Sequence, residues 1–240
     1  MKRIITLLAL FALPVVAADV QTLFNGTDLD GWMGKADFWR VEKGAIVGQT
    51  TAEKPTSGNT FLVWTGGDVD DFDFVCMTRF KGNNSGVQYR SKVVDEKNVV
   101  VAGYQADLHP AAEYFGMLYG EKMPGRGIIA KRGQKVVIDA GGKTSVVGSV
   151  GNTDALVDWE WNELRIVAVG NRLIHQINGV TTVDITDDHP GALSKGVIAL
   201  QLHAGPAMTV VFKDLKLTAL KGEAAQAVLK SVTDEATATK

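Results

Sequence analysis

Apolar and polar residues alternate with a period of two along most of the chain, and this is the pattern of half-buried β-strands. In "FDFVCMTRF", Phe72, Phe74, Cys76, Thr78 and Phe80 share one face, and Asp73, Val75, Met77 and Arg79 share the other. Cys76 is thereby placed in a core. "FWRVEKGAIVG" reads as two short strands around a Lys43-Gly44 turn, and "KVVIDA", "ELRIVAVG", "LIHQI", "TTVDI", "GVIALQL" and "MTVVFKDLKL" add further strands. Asn178-Gly179 is a two-residue hairpin signal, and Gly170-Asn171 makes another turn just before it, so three consecutive strands form a meander. Long helical periodicity is nearly absent before residue 220. Many short strands with regularly spaced turns predict an all-β jelly-roll sandwich of two antiparallel sheets.

Two regions break the pattern. Residues 107–127, "DLHPAAEYFGMLYGEKMPGRG", are too long and too rich in Gly, Pro and Tyr for a simple turn, so they read as a functional loop. The tail from residue 219 to residue 240 has the Ala, Glu and Lys content for a short helix from Glu223 to Val232 and then a frayed end.

Three strand ends raise a chemical question. Gln88 and Arg90 share a face in "NNSGVQYRSK", Gln105 and Asp107 in "GYQADLH", and Gln201 and His203 in "IALQLHAG". Taken together they suggest one sheet face lined by amides, a guanidinium, a carboxylate and an imidazole. Such a face, with aromatics nearby, suits a sugar, whose hydroxyls need many donors and acceptors. The expectation is that Arg90, Gln105, Asp107 and His203 converge in one solvent-reachable hollow.

Other residues point elsewhere. His175 by its hairpin reads as structural or solvent-facing, and His109 and His189, each before a proline, read as loop residues. The four histidines and the single cysteine show no zinc-ligand spacing. "AGGKTS" lacks phosphate-loop spacing, and Asp158 and Glu160 in "DWEWNE" lie in a loop entering a strand. Asn25 and Asn83 sit in glycosylation sequons, a pattern that is common by chance.

Composition bounds the rest. The 240 residues carry a formal net charge of −2, so no global field invites nucleic acid or an anionic membrane. Lys2 and Arg3 precede an apolar run from Ile4 to Val16, and Val16-Ala17-Ala18 offers small residues to a signal peptidase. Residues 1–18 therefore read as a secretory signal peptide cleaved after Ala18, with a retained anchor as the alternative. The mature chain, without a second hydrophobic span, is expected to be secreted or periplasmic, with its fold over residues 19–218.

The stretches "LFNGTDLDGW", "NSGVQYRS", "GYQADL", "GMLYG", "WNELRIVAVGNRLIHQINGV", "GVIALQLHAG" and "VVFKDLKL" occur in that order. From about Gln21 to about Leu217 the chain resembles the 3-keto-disaccharide hydrolase domain family of exported bacterial proteins. The resemblance implies a concanavalin-like jelly roll. It also implies action on a small carbohydrate, a glycoside or disaccharide already oxidised to a ketone at C3. That ketone acidifies the C2 hydrogen; a base removes it, the C1 aglycone leaves by β-elimination, and water adds to the enone. Such chemistry needs a base, donors for the enolate oxygen and an acid for the leaving group.

On this reading His203 or Asp107 is the base, and Arg90 with Gln88 or Gln105 holds the enolate or sugar hydroxyls. Glu121 and Tyr119 protonate or bind the leaving group, and Gln201 and His109 complete the substrate-binding set. The one cofactor to consider is a divalent metal held by Asp107, Glu121 and His203, for which no ligand spacing speaks. Two other functions compete: a carbohydrate-binding module without catalysis, and a conventional retaining glycosidase.

Overall fold

The protein's computed structural model describes residues 19–151 and 160–238. The expected signal peptide and Asp158 lie outside these residues. The strands, in chain order, are β1 (Val20–Thr22), β2 (Trp32–Met33), β3 (Trp39–Glu42), β4 (Ala45–Gln49), β5 (Thr60–Trp64), β6 (Phe72–Lys81), β7 (Ser85–Asp95), β8 (Val100–Leu108) and β9 (Leu118–Glu121). They continue as β10 (Ile128–Ala130), β11 (Gln134–Ile138), β12 (Thr144–Ser149), β13 (Asn162–Val169), β14 (Arg172–Ile177), β15 (Val180–Asp187), β16 (Val197–Leu202) and β17 (Thr209–Ala219), followed by helix α1 (Gly222–Ala238).

These strands form two sheets packed face to face. One has ten strands in the order β12-β11-β15-β14-β13-β6-β17-β4-β3, with β1 added beside β17. The other has seven, in the order β10-β9-β8-β7-β16-β5-β2. Neighbouring strands run antiparallel, except that β11 and β15 pair in parallel. The two-sheet jelly roll expected from the alternation, and implied in its concanavalin-like form by the family resemblance, is present, with that one parallel pair as a local departure.

The inward faces make the core. Phe72, Phe74 and Cys76 of β6 and Phe212 of β17 meet Tyr89 of β7, Tyr104 of β8 and Leu200 of β16 from the opposite sheet. Phe72 meets Tyr89 edge to face, 5.9 Å between ring centroids. Burial pushes the Cys76 thiol up, as befits a small core side chain with no partner cysteine. The meander of β13, β14 and β15 closes at Asn178-Gly179, where both residues adopt positive φ (51° and 77°), as a two-residue hairpin turn requires.

Helix α1 extends further than the Glu223–Val232 segment predicted. Ala225, Val228, Leu229 and Val232 recur at helical spacing and cover Val167, Val169 and Ile174 on the outer face of the ten-stranded sheet. Among the described residues no helix is long and apolar enough to cross a membrane.

The segment expected to be one long loop is partly ordered. A single 3-10 turn (Ala112–Tyr114) leads into β9, so Tyr119 and Glu121 sit on a strand. At the other end of the same sheet, the tip of the β7–β8 hairpin reaches β5. There Val99 O accepts from the Phe61 N–H at 3.0 Å, and Asn98 O accepts from Thr60 Oγ1 at 2.9 Å.

Candidate active site on the outer face of the seven-stranded sheet

The pleat decides which side chains can meet. Tyr104, Ala106 and Leu108 of β8, Leu118 of β9 and Leu200 and Leu202 of β16 point into the core. Their alternates, Gln105, Asp107, Tyr119, Glu121 and Gln201, therefore share the outer face. β8 pairs with β9 so that Gln105 stands opposite Tyr119, and with β7 so that Gln88 stands opposite Gln105. His203 follows directly on β16.

These residues enclose a hollow of about 230 Å³ lined by Gln105, Asp107, Tyr119, Glu121, Gln201 and His203, together with Asn59, Asn84 and Met117. A row of amides runs beneath it. Ser91 Oγ donates to Gln88 Oε1 (2.7 Å), and Gln88 Nε2 donates to Gln105 Oε1 (2.8 Å). Gln105 Nε2 then donates to Asp107 Oδ1 and, at 3.3 Å, to Gln201 Oε1. The row leaves Gln201 Nε2 for the hollow. Gly86 makes the row possible, because a Cβ there would lie 2.6 Å from the Gln105 side chain and 2.9 Å from Ala106 O.

Asp107 is the most perturbed carboxyl of the site. It is 1% exposed, and burial pushes its pKa up to about 7, with the Gln105 hydrogen bond opposing it, the Glu121 charge adding to it and an Asn84 hydrogen bond also opposing it. Asp107 Oδ2 and Asn84 Oδ1 are buried without a hydrogen-bond partner of ordinary geometry among the described residues. Burial also raises Glu121, against the pull of Lys122, of Asn59 and of His203. Burial and the nearby Glu121 and Asp107 charges raise Tyr119.

The orientation of His203 follows from its neighbours. The Ala204 carbonyl accepts from Asn83 Nδ2 at 2.9 Å and lies within hydrogen-bond distance of His203 Nδ1. Asn83 Nδ2 also lies 3.2 Å from Nδ1, so both contacts of the ring fall on that nitrogen; in the tautomer that donates Nδ1–H to the Ala204 carbonyl, Nε2 carries the lone pair. Glu121 Oε2 meets Asn59 Nδ2 at 3.4 Å, while Asn59 Oδ1 accepts from the Ala204 N–H at 3.1 Å.

Three expected members stand apart. Arg90 does not join the hollow. The register slips between Tyr89 and Lys92, and Arg90 has φ 47°, so the alternation that places Gln88 outward no longer holds for Arg90. Its guanidinium donates to Asp70 O (3.0 Å), Gly170 O (2.7 Å) and Asp71 Oδ1 (2.9 Å), and it lines a separate cleft with Tyr104, Asp187 and Leu193. Gln88 is fully buried with both ends of its amide engaged, so it supports Gln105 and does not face the hollow. His109 accepts the Ala111 N–H at 2.9 Å and packs edge-on against Tyr114 at 5.0 Å outside the lining set, close enough for the His203 charge to depress it alongside burial.

Asn59 and Asn84 were not anticipated, because each occupies an ordinary turn sequence. As for a metal, Asp107, Glu121 and His203 line one hollow, yet among the described residues no three His, Cys, Asp or Glu side chains gather as an ion-binding set.

A two-sheet jelly roll with a carboxylate- and imidazole-lined hollow on one outer face defines the class. The chain belongs to the 3-keto-alpha-glucoside-1,2-lyase-like domain family, whose model matches residues 19–218. No curated protein matches it in sequence. Among solved structures it is similar to the carbohydrate-binding module CBM66 from Bacillus subtilis, at 17% identity and a TM-score of 0.55 over 82% of this chain and 99% of that one. A provisionally named glycosyl hydrolase from Parabacteroides distasonis is similar at 15% identity and a TM-score of 0.55, over 84% of this chain and 100% of that one. A Bacillus subtilis protein of unknown function with a galectin-like fold gives 10% identity and a TM-score of 0.55, over 84% and 94% of the two chains. At these identities the likeness is one of fold.

Proposed function

We propose that the protein cleaves 3-keto-glycosides in the Asp107–Glu121–His203 hollow. His203 Nε2 takes the proton from C2. The electron pair left on C2 delocalises into the C3 ketone as an enolate, whose oxygen accepts hydrogen bonds from the neutral Asp107 carboxyl and from Gln201 Nε2. Collapse of the enolate forms the C1–C2 double bond and expels the C1 substituent, whose oxygen receives a proton from Glu121. Water then adds across the enone. A protonated carboxylic acid as enolate donor needs a carboxyl kept neutral by its surroundings, and burial supplies that at Asp107.

The observation that carries this reading is the meeting, around one hollow, of an imidazole, a carboxyl raised to about 7 and a second raised carboxyl. Membership of a lyase-like family supports it. The likeness to a carbohydrate-binding module favours a second reading, sugar binding without turnover. Against it, among the described residues Tyr119 alone of the Phe, Trp and Tyr side chains lines the hollow, where a binding platform would use stacked rings.

The test is incubation in deuterated water with a 3-keto-glucoside and its unoxidised parent. Cleavage of the ketone alone, with deuterium appearing at C2, is expected, and His203→Ala should slow it at least about 100-fold. Equal cleavage of both glycosides would overturn the mechanism. Retained sugar affinity without turnover in the unmodified protein would establish the second reading.

A further inference from the structure

We propose that a trough on the outer face of the ten-stranded sheet docks a partner protein through an extended acidic segment with carboxylates at alternate positions. The trough has a volume of about 480 Å³, within the ~300–1,000 Å³ typical of ligand sites. It is built on β3, β4, β17 and β6, whereas α1 covers β13 and β14 of the same sheet. The Asp107 hollow opens on the other sheet, so an occupant of the trough leaves that hollow open.

Charge sets the trough apart. Its lining holds five cations, Arg40, Lys43, Arg79, Lys81 and Lys213, against the one carboxylate of Glu42, in a chain whose formal net charge is −2. Arg40 is paired with Glu42, and Lys213 Nζ lies 4.0 Å from Asp214 Oδ2. Lys43 and Lys81 are exposed, and neither has an ion-pair partner among the described residues. The strand register then sets the spacing. Pairing aligns Lys81 with Thr209 and Gln49, and Arg79 with Val211, Val47 and Arg40; Lys213 takes the next outward position of β17. Three successive rows thus each present a cation, ~6.8 Å apart, the distance between same-face residues of a strand. An extended peptide laid along them repeats its own same-face side chains at that distance, so alternate Asp or Glu residues meet row after row.

Other polyanions fit less well. The Trp161 ring has Arg79 Cζ at 4.7 Å and Lys213 Nζ at 4.4 Å from its centroid, so it holds these cations in place and is not an open platform for a sugar or a nucleic-acid base. The apolar floor of Ala45, Val47 and Val211 is no more than 6% exposed, so a lipid surface finds no protruding apolar side chain there to take up. A peptide needs neither feature. Its carboxylates reach the cations along the rims, and its backbone lies over the floor.

The experiment titrates the whole protein, by calorimetry and amide NMR, with a short synthetic peptide in which glutamate and threonine alternate, and with its isomer that has the glutamates in one block. The alternating peptide should shift the amides of Arg79, Lys81 and Lys213 and bind at least about fivefold more tightly than the block isomer. Its affinity should fall at least about tenfold when the salt is raised from about 20 to about 200 mM. Lys81→Glu and Lys213→Glu should each weaken it at least about fivefold, whereas Lys230→Glu, on α1, should leave it unchanged. Equal affinity for the two isomers, or shifts confined to other surfaces, would overturn the proposal. So would tighter binding to polygalacturonate or to phosphatidylglycerol vesicles than to the peptide, which would assign the trough to an acidic glycan or a lipid surface.

Discussion

Arg90 is charged, 1% exposed and remote from the candidate site, and its surroundings explain all three facts. Its donors go to the carbonyls of Asp70, Gly170 and Leu193 and to the Asp71 carboxylate, on three separate connections, so it fastens the end of the sandwich. Arg90→Met leaves buried acceptors without partners and should cost about 3 kcal/mol or more. The expected result is a lower midpoint in urea with kcat/KM of the folded protein unchanged; a selective loss of turnover would return Arg90 to the site. At this scale much of the hollow was legible. Gln105, Asp107, Gln201 and His203 declare themselves because a period of two assigns each strand residue to a face. Asn59 and Asn84 do not, since their roles depend on contacts with Ala204, Glu121 and Asp107 that no local pattern encodes.

Among the elements, β7 is the one that sequence alternation misdescribes. Its first half keeps the pleat, with Val87 and Tyr89 inward, and its register then shifts twice against β8. A bulge of this kind carries no composition signal where neither glycine nor proline marks it. Strand β9 was hidden for another reason. "LYGE" is short and glycine-broken, and its pairing with β8 and β10 makes it a strand. The first half of β7 also matters chemically, through Gly86. Gly86→Ala should push Gln105 off Asp107 and so remove the hydrogen bond that holds the carboxyl down. The Asp107 limb of a pH–rate profile is then expected to move above its position near 7; an unmoved limb would show that Gln105 yields without releasing the carboxylate.

For the molecule as a whole, two buried groups set opposing responses to acid. His175 bonds Tyr89 Oη at 2.9 Å, and burial lowers its pKa from 6.5 to about 4. Between those values the unfolded chain binds the proton and the native one does not, so stability falls as the pH drops. Asp107 is raised from 3.8 to about 7, so there the native state holds the proton, and stability falls as the pH rises through that range. At about 1.4 kcal/mol per pH unit of separation, the contributions are about 3–5 kcal/mol, the Asp107 one the larger, and over the shared interval they largely cancel. Relative to the unmodified protein, Asp107→Asn should lose stability between pH 7 and pH 4, and His175→Gln should gain it. Urea midpoints at several pH values would show this, and parallel curves for all three proteins would refute it.

Ser91 sits beside the slipped register of β7 and donates to the first amide beneath the site. An amide row has two senses, and each member copies the sense of the one before it. The Asp107 oxygen accepts and so sets the sense of the row, and the Ser91 hydroxyl, able to donate or to accept, takes the donor role at the far end. The floor of the hollow is in this way held in one orientation as far as a serine that solvent does not reach.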